Sequence, residues 1–427
     1  MPHQEALTII ARIRPEMLDD LAAALGEISQ NVQKNEIISF ERFTNVHFAR
    51  FVILGQATDL NGQTIPPSLV YTSNVDAPLE AHLQELADVA GEGLDRVYSY
   101  CEDYPASASR TRANRLSFLR AHLIPSQAFY VNTVGRSVQQ IRQEEQLREA
   151  IAAFLDREYC RHGWLEQDPL QIRAKLQEFV DSQPKLSWAK TPPAPPELGW
   201  RVRRLLQLVA VPVGLLILSP LILLLLPIWA VLLRVHEKRD IPEDIQPDNQ
   251  RVRQLRDVED MVVQNPFSAV GFIKPGWFRR TTVKVLLFLV NYGIRHIYNR
   301  GRLTGVRTIH FARWVSIDEY RRLLFCSNYD GSLESYMDDF IDKVAWGLNA
   351  VFSNGAGYPR TRWLILDGAR DEQAFKAYLE NHQLHTQVWY AAYNRLTAVN
   401  IENNAEIRKG LYGSMSQQAA EAWLRRL

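Results

Sequence analysis

Cysteine is scarce in this sequence, and the opposite charges almost cancel. The chain has three cysteines, Cys101, Cys160 and Cys326, with no C-x-x-C pair, which argues against a disulfide framework and favours a reducing compartment. Lys and Arg number 49 against 48 Asp and Glu, so the net charge gives no reason to expect a nucleic-acid partner. The N-terminal residues lack an apolar run before a small-residue cleavage site, so we expect no signal peptide and a mainly cytoplasmic chain.

Several catalytic signatures are missing as well. The sequence holds no P-loop, no G-x-G-x-x-G after a predicted strand, no G-x-S-x-G, no H-E-x-x-H and no zinc-ligand spacing. The sequence therefore gives little reason to expect a nucleotide-dependent enzyme or one of the common hydrolases, and no metal site is predicted.

One unit of sequence occurs twice. Residues 46–52, VHFARFV, recur as residues 309–315, IHFARWV. Residues 73–105 and 327–359 align without a gap and share S-N-x-D, a later Leu-Glu, Gly-Leu and Tyr-Pro. Such self-similarity indicates that one structural unit has been duplicated within the chain.

Each copy is predicted to fold as strand, helix, strand, strand, helix and strand. In the first copy residues 7–13 are predicted as a strand and are followed by a helix with apolar residues at helical spacing. Residues 47–54 and 68–72 are rich in β-formers. Asp76 precedes a predicted helix over residues 79–99 and suits its N-cap. This βαββαβ order is that of the ferredoxin-like fold.

The duplicated βαββαβ order resembles the dimeric α+β-barrel superfamily, in which two ferredoxin-like units pair their sheets. The resemblance implies an α+β fold in which the two repeats, residues 1–132 and 262–402, form one intramolecular pseudo-dimeric barrel around a ligand cavity. Dyp-type peroxidases and chlorite-dismutase-like proteins of this superfamily hold haem through an axial histidine. The resemblance therefore also implies haem as a cofactor and a peroxidase-like activity.

A long apolar segment separates the two repeats. Residues 205–233, LLQLVAVPVGLLILSPLILLLLPIWAVLL, carry no charge and exceed the length of about 20 residues that spans a bilayer. Basic residues flank the run on both sides, and Trp200 and Trp229 suit the membrane interface. A buried core helix is the alternative, but such a helix is rarely so long and apolar on every face.

Three prolines interrupt this segment, and they leave open whether it crosses the membrane. A single crossing would place the two repeats on opposite sides, whereas a hairpin bent near Pro220 has arms of about 21 Å, too short to cross. Basic residues favour the cytoplasmic side, and here they lie on both flanks. We therefore expect a hairpin, with both repeats on the cytoplasmic face of the cell membrane and membrane lipids as partners; a single-span anchor is the alternative.

The other stretches complete the domain organisation. We predict a helical connector at 133–182, a Pro-rich linker at 183–200, the membrane segment at 201–239, a charged connector at 240–261 and a C-terminal tail at 403–427. In the second repeat, residues 283–298 are far more apolar than their counterpart in the first. Contact with lipid or with the membrane segment would explain this difference, and deeper burial in the domain is the alternative.

The candidate chemistry lies in residues that both copies share. His47 and His310, each in H-F-A-R, are the predicted haem ligands, and the alternative is a hydrogen-bonded core histidine. On a regular strand, residues three positions apart point to opposite faces. The histidine and the arginine of each motif therefore line one cavity only if a bulge intervenes.

The predicted catalytic partners of these histidines are an aspartate and an arginine from each copy: Asp76, Asp330, Arg50 and Arg313. The aspartates lie in S-N-x-D, and the second copy of this motif is similar to the G-x-x-D-G distal motif of Dyp-type peroxidases without its first glycine. The alternatives are helix N-caps for the aspartates and ion pairs with Glu80 or Glu334 for the arginines.

Two classes of function follow from these features. The first is a membrane-bound, haem-dependent oxidoreductase, peroxidase-like or lipid-directed, with a lipophilic small molecule as substrate. The second is a non-catalytic membrane-anchored scaffold or partner-binding protein, in which the repeated residues only specify the fold.

Overall fold

The protein is described by a computed structural model that covers most of the chain. The described residues are 4–76, 78–162, 168–193, 198–242, 249–256, 262–298, 303 and 305–427. Part of the predicted Pro-rich linker (194–197) and much of the charged connector (243–248 and 257–261) lie outside them. The described part is mixed α+β with antiparallel sheets, which confirms the predicted class.

In the described part of the chain, eight strands of four or more residues form two antiparallel sheets. They are β1 (Gln4–Arg12), β2 (Val46–Leu54), β3 (Ser68–Asp76), β4 (Ala128–Val131), β5 (Gln264–Phe272), β6 (Ile309–Ile317), β7 (Arg322–Asp330) and β8 (Thr386–Ala391). The first sheet has the order β1-β3-β2-β8 and the second β4-β6-β7-β5. Two short hairpins, within residues 57–65 and 361–367, lie outside these sheets.

Each sheet takes one edge strand from the opposite half of the chain. β8 pairs with β2, and β4 pairs with β6. Further backbone bonds form at the sheet edges: Ile124 N, just before β4, donates to Thr8 O of β1 at 2.9 Å, and Leu384 N, just before β8, donates to Ser268 O of β5 at 2.8 Å. The sheets therefore meet at both edges, and the space between them is filled by side chains from both halves, such as Val52.

The helices cover the outer faces of the sheets and link the halves. They are α1 (Leu18–Gln30), α2 (Leu79–Val89), α3 (Gly91–Tyr98), α4 (Arg112–Ala121), α5 (Val138–His162), α6 (Pro169–Ser182), α7 (Leu198–Ile217), α8 (Ser219–Arg239), α9 (Asn249–Arg256), α10 (Trp277–His296), α11 (Leu333–Phe352), α12 (Glu372–His382), α13 (Ala398–Lys409) and α14 (Gln417–Leu424). α1 packs against the exchanged strand β8, and α10 packs against β4. The exchanged strands are thus held by the opposite half's helices as well as by its sheet.

The helix predicted over residues 79–99 is two helices. α2 ends at Val89, and α3 begins after Ala90, whose backbone leaves the helical region at φ −112° and ψ 18°. Gly93 explains the close packing of α3, because a Cβ at this position would lie 2.0 Å from Ile37 O. Asp76 does not cap α2 either: the Leu79 N–H donates to the Glu5 carboxylate at 2.9 Å.

The predicted helical connector and the C-terminal tail pack together. α5 and α6 lie within residues 133–182, where a helical connector is predicted, and they bury Leu147 and Leu176 against Ile407 and Trp423. The Arg173 side chain donates to Gly410 O at 2.7 Å. This cluster of buried apolar side chains fixes the tail to the connector.

Candidate functional site

Both candidate histidines lie on β-bulges. The register of β2 against β3 shifts at His47, and the register of β6 against β7 shifts at His310. A bulge leaves one residue outside the regular ladder and re-aims its side chain. The two imidazoles consequently point into the protein, where they are 0 % and 1 % exposed.

His47 belongs to a buried chain of hydrogen bonds. Its Nδ1 lies 2.9 Å from the Tyr393 hydroxyl, and its Nε2 lies 3.1 Å from Asp76 Oδ1. Burial, and then the Asp76 and Asp330 carboxylates, raise the pKa of Tyr393 well above its ordinary value, so the tyrosine stays protonated and donates to Nδ1. We therefore assign the Nε2 proton of His47 to its bond with Asp76.

His310 repeats half of this arrangement. Its Nε2 lies 2.7 Å from Asp330 Oδ1, but its Nδ1 has no partner among the described residues. The sequence explains the difference, because Thr133 stands where the second copy has Tyr393, and a threonine side chain is too short to repeat the contact. The Tyr393 ring lies beside both imidazoles, with centroid distances of 5.8 Å to His47 and 6.3 Å to His310.

The two aspartates cap helices, but not the helices that the sequence predicts. Asp76 Oδ2 accepts from Val138 N at 3.1 Å, at the start of α5. Asp330 Oδ2 accepts from Ala398 N at 2.7 Å, at the start of α13. Each carboxylate thus joins a bulged histidine to the first turn of the helix that follows the exchanged strand, where a negative charge is favourable.

The two arginines cross from one sheet to the other. Arg313 donates to Thr8 Oγ1 at 3.2 Å, to Ser73 O at 2.8 Å and to the Asn74 side chain. Asn74 belongs to the S-N-x-D motif of the opposite copy. The arginine of each H-F-A-R motif therefore donates hydrogen bonds to the serine and asparagine of the S-N-x-D motif in the other half.

Arg50 makes the equivalent contacts in the reverse direction. It donates to Phe267 O and Ser327 O, both at 2.8 Å, and to the Asn328 side chain. Its guanidinium lies 5.0 Å from the centroid of Trp389 on the exchanged strand β8. These bonds tie β2 to the adjacent strands β5 and β7 of the second sheet.

The ion pairs proposed as an alternative for the arginines are replaced by other contacts. Glu80 lies on the surface and pairs with Arg120, whereas Arg50 and Arg313 are each 3 % exposed. Burial lowers the pKa of the Arg313 guanidinium to about 9, and the neighbouring Arg50 adds to this shift. The guanidinium remains charged at neutral pH, and its carbonyl and amide partners compensate part of the lost hydration.

The surroundings of the two histidines do not fit a haem. Both ring nitrogens of His47 are engaged, and Phe48 stacks on Trp389 at 5.4 Å and contacts the Phe311 ring at 5.6 Å. These rings occupy the space that a macrocycle would need. The described part of the chain has a partly open pocket of about 30 Å³ beside His382, which holds no more than a water molecule, and an open one of about 380 Å³ lined by residues such as Glu145, Arg395 and Arg426. Neither His47 nor His310 lines either of them.

The hydrogen-bond chain has the connectivity of an activated nucleophile, with a hydroxyl, an imidazole and a carboxylate in series. Tyr393 and His47 are 4 % and 0 % exposed, so a substrate has no access to them. The geometry supports a structural role, in which each histidine and its aspartate fix the start of a helix against a bulged strand.

Removing the tyrosine hydroxyl gives a direct measure of this role. We expect Tyr393→Phe to lower the free energy of unfolding by about 1–2 kcal/mol, because it leaves His47 Nδ1 buried without a donor. Denaturant unfolding in mild detergent measures the change. Tyr98→Phe is the matched control, since the Tyr98 hydroxyl is buried without a partner among the described residues, and its loss should be close to neutral. Equal losses in both variants would contradict the assignment.

The apolar segment forms the second candidate site. In the part of the chain that the structure describes, one helix, α8, is long and apolar enough to span a bilayer. Its most apolar 18 residues have a mean hydropathy of 1.8, and only 6 % of this stretch is buried. α7 continues into α8 through Leu218, whose backbone stays near the helical region. Pro220 cannot donate to Leu216 O, and the Ser219 hydroxyl donates to this carbonyl instead, at 2.7 Å.

Both ends of the segment contact the same helix, α10. Tyr292 donates to Leu208 O at 2.9 Å, and the His236 ring stacks on Phe278 at 4.9 Å. A straight helix would separate Leu208 from His236 by about 42 Å, whereas Phe278 and Tyr292 are about 21 Å apart along α10. The segment must therefore bend away from α10 and return to it. We call residues 205–228 the apolar wedge.

The outermost part of the apolar wedge is highly exposed. Leu216 and Ile217 are 73 % and 72 % exposed, and Leu223 and Leu224 are 68 % and 69 % exposed. The middle of α10 adds to this surface, because Phe288 is 54 % exposed. The high apolarity of α10 thus reflects its contact with the apolar segment and its exposed apolar side chains.

The C-terminal part of α8 is bound to the protein. Leu233 is fully buried against Phe278 and Leu364. The buried Glu237 carboxylate accepts from Trp363 N at 3.0 Å and from Leu364 N at 2.8 Å. These two residues have positive φ angles of 58° and 64°, and the turn aims consecutive N–H groups at one anion.

Asp240 fixes the end of α8. Its Oδ2 lies 2.7 Å from Lys274 Nζ and 2.6 Å from the Arg279 guanidinium. All three side chains are largely buried, so the two cations depend on this carboxylate. The last turns of α8 are therefore part of the folded domain.

Sequence reasoning missed the residues that fix the apolar segment, namely Tyr292, Glu237 and Asp240. Only Asp240 carried a usable signal, as an acid just beyond a predicted helix end. A comparison with protein-family models, with curated proteins and with solved structures finds no match for this chain.

Proposed function

We propose that this chain is a monotopic membrane protein whose apolar wedge enters one leaflet and returns, and which acts as a non-catalytic scaffold or partner-binding protein. The observation that carries the proposal is that Leu208, near the start of the wedge, and His236, beyond its end, both contact α10. An apolar segment held in this way, with its bend exposed, is suited to insertion into a bilayer rather than to crossing it.

The anchoring of α8 supports insertion over crossing. Trp229, Leu233 and Glu237 contact the folded domain, so only about half of α8 is free to enter lipid. The free half, at 1.5 Å per residue, is about 15 Å long, which is half the thickness of a hydrocarbon core.

Aromatic and basic residues at the base of the wedge also support the proposal. Trp277 is 72 % exposed next to Phe278, and Trp363 is 47 % exposed beside Arg234. Trp200 lies under the Arg204 guanidinium at the other end. Tryptophan and arginine are enriched at the headgroup level of membranes. We place both halves on one side, and the basic flanks favour the cytoplasmic face.

The two sheets are the core of this scaffold. We interpret them as two ferredoxin-like units that exchange their last strands and close into one pseudo-dimeric barrel. The aromatic packing around His47 and His310 supports the non-catalytic function over the haem-dependent or lipid-directed oxidoreductase, because those reactions need a cavity for cofactor and substrate.

Labelled single-cysteine variants test the insertion. Leu221→Cys reports on the bend, and Arg201→Cys and Lys238→Cys report on the two flanks, in a chain whose native cysteines are replaced by serine or alanine. Each variant is synthesised in the presence of sealed vesicles and labelled with the fluorophore NBD. We expect blue-shifted emission and protection from external dithionite at position 221, with complete quenching at both flanks.

Two results would count against the proposal. Protection of one flank with quenching of the other would show that the segment crosses the bilayer. Full quenching at all three positions, without a blue shift, would show that the wedge stays in water. The detergent-solubilised variants serve as the control for complete access to dithionite.

A further inference from the structure

The helices that follow the two exchanged strands are counterparts of each other. α5 follows β4 and α13 follows β8, and each begins with an N–H group that donates to the aspartate of an S-N-x-D motif. Matching residues of the two helices lie 260 positions apart, as Thr133 and Tyr393 do. The helices pack on each other, and the matching residues Ile141 and Ile401 are both buried. The surroundings of α5 and α13 can therefore be compared position by position.

Arg408 of α13 is enclosed by other parts of the chain. Its guanidinium donates to the Glu144 carboxylate of α5 at 3.2 Å and to Thr191 O at 2.9 Å. The centroid of the Trp188 ring lies 4.6 Å from the guanidinium carbon. Trp188 and Thr191 belong to one tight turn, in which Thr191 N donates to Trp188 O at 3.1 Å. Residues 188–191, which we call the Trp188 turn, thus cover Arg408 with an aromatic ring and a main-chain carbonyl.

Arg148 is the counterpart of Arg408 on α5, and among the described residues no such turn covers it. Asn404 stands where the other helix has Glu144, and a neutral amide attracts a guanidinium less strongly than a carboxylate does. Both polar atoms of the buried Asn404 side chain lack a partner in the described part of the chain. Arg148 instead pairs with the adjacent Glu149 at an N–O distance of 3.8 Å, and 35 % of its side chain is exposed. Such a pair holds an arginine only weakly.

The open pocket of about 380 Å³ lies beside Arg148. Its volume is within the usual range of ligand pockets, about 300–1,000 Å³. Residues of α5, the start of α13 and the residues after α14 form its walls. Asn403 Nδ2 donates to Arg426 O at 2.9 Å, and the Arg426 guanidinium donates to Asn403 Oδ1 at 3.3 Å, so two of the walls are bonded together. The pocket adjoins Arg148 as the Trp188 turn adjoins Arg408.

We propose that this pocket binds a tryptophan-containing turn of a partner protein, in the way that the Trp188 turn covers Arg408. The indole ring of the partner lies over the Arg148 guanidinium, which donates to a main-chain carbonyl of the same turn. The three arginines of the pocket are accompanied by two glutamates, and this near balance of charge favours a neutral ring and a carbonyl over a small anion. The inference rests on the proposed partner-binding function and is independent of the membrane insertion.

A peptide copied from the Trp188 turn tests the proposal. The fluorescein-labelled peptide of residues 184–193, PKLSWAKTPP, is titrated with the full-length protein in mild detergent, and binding is followed by fluorescence polarisation. We expect a Kd of about 0.1 mM. Arg148→Gln in the protein, or Trp188→Ala in the peptide, should each weaken binding about tenfold, because each removes one partner of the arginine–indole contact.

The matched control is Arg157→Gln, which removes an exposed arginine of the same helix outside the pocket and should bind the peptide like wild type. Equal affinities of wild type and Arg148→Gln would show that the peptide binds elsewhere, for example by displacing the Trp188 turn from Arg408. That result overturns the site, and so does the absence of saturable binding by wild type.

Two further arms complete the test. Inorganic phosphate, added at matched ionic strength, should displace the peptide no better than chloride; stronger displacement would show an anion site and overturn the peptide assignment. The vesicle-labelling experiment distinguishes this inference from the proposed insertion. A protein that inserts but does not bind the peptide rejects the pocket alone, whereas a protein that binds the peptide but stays in water rejects the insertion alone.

Discussion

Replacing Leu216, Leu223 and Leu224 together by glutamine should release the protein from membranes. These side chains are about 70 % exposed at the bend of the apolar wedge. Burying a leucine in lipid is worth about 1.5 kcal/mol at the low end of the usual range, so the three together contribute about 4.5 kcal/mol. We expect the partition coefficient into neutral vesicles to fall about 1000-fold, as measured by flotation.

The control for this variant uses exposed apolar residues elsewhere. Leu60, Val134 and Val399 are 37–47 % exposed and lie outside the apolar wedge, so their replacement by glutamine should leave partitioning unchanged. Both triple variants should unfold like wild type in detergent, because neither set belongs to a core. Equal binding of the two triple variants would mean that the wedge does not enter the bilayer.

The residues selected from the repeated motifs are buried and hydrogen-bonded, but the motifs did not predict what they contact. His47 and His310 each lie on a bulge and contact an aspartate of the S-N-x-D motif, but only His47 has a partner at Nδ1 among the described residues. The helix that Asp76 caps begins 62 residues further along the chain. A rule for N-caps that considers only the following residues therefore selected the wrong helix.

The exchange of strands had no signal in the sequence. Arg50 and the Asn328 that it contacts are 278 residues apart, and hydrophobic alternation defines the face of a strand but not its neighbour. β4 and β8 would bury the same faces in either sheet. The sequence thus supports the α+β class and two related halves, while the pairing depends on tertiary contacts.

The membrane segment was predicted more completely, because its determinants are local. Its length, its prolines and its flanking charges all lie within one stretch, and the boundary between α7 and α8, at Leu218, lies next to the expected turn. The turn that holds Glu237 could not be predicted. Trp363 and Leu364 adopt positive φ angles without being glycine, and such strain is imposed by the surrounding contacts.

Separating the halves of the chain should abolish folding of each half. A fragment ending at residue 193 retains β1 to β4, but β2 loses β8 and β4 loses β6. The apolar core of the first half also includes Phe311, Val388 and Tyr390 from the second. An unpaired edge beside an incomplete core cannot offset the conformational entropy of folding. We expect no cooperative thermal transition in this fragment or in its complement from residue 198.

Co-expression of the two fragments should restore the fold, because the exchanged strands supply the missing pairs. An affinity tag on one fragment should then retain the other, and the complex should unfold in one transition like the intact chain. The control is intact protein cut within residues 194–197 after folding, which should keep its fragments together and its melting temperature unchanged. If either fragment alone unfolds cooperatively with native-like near-ultraviolet circular dichroism, the halves are independent domains. The exchanged strands, and the arginines that cross between the sheets, would then not be what makes this chain fold as one unit.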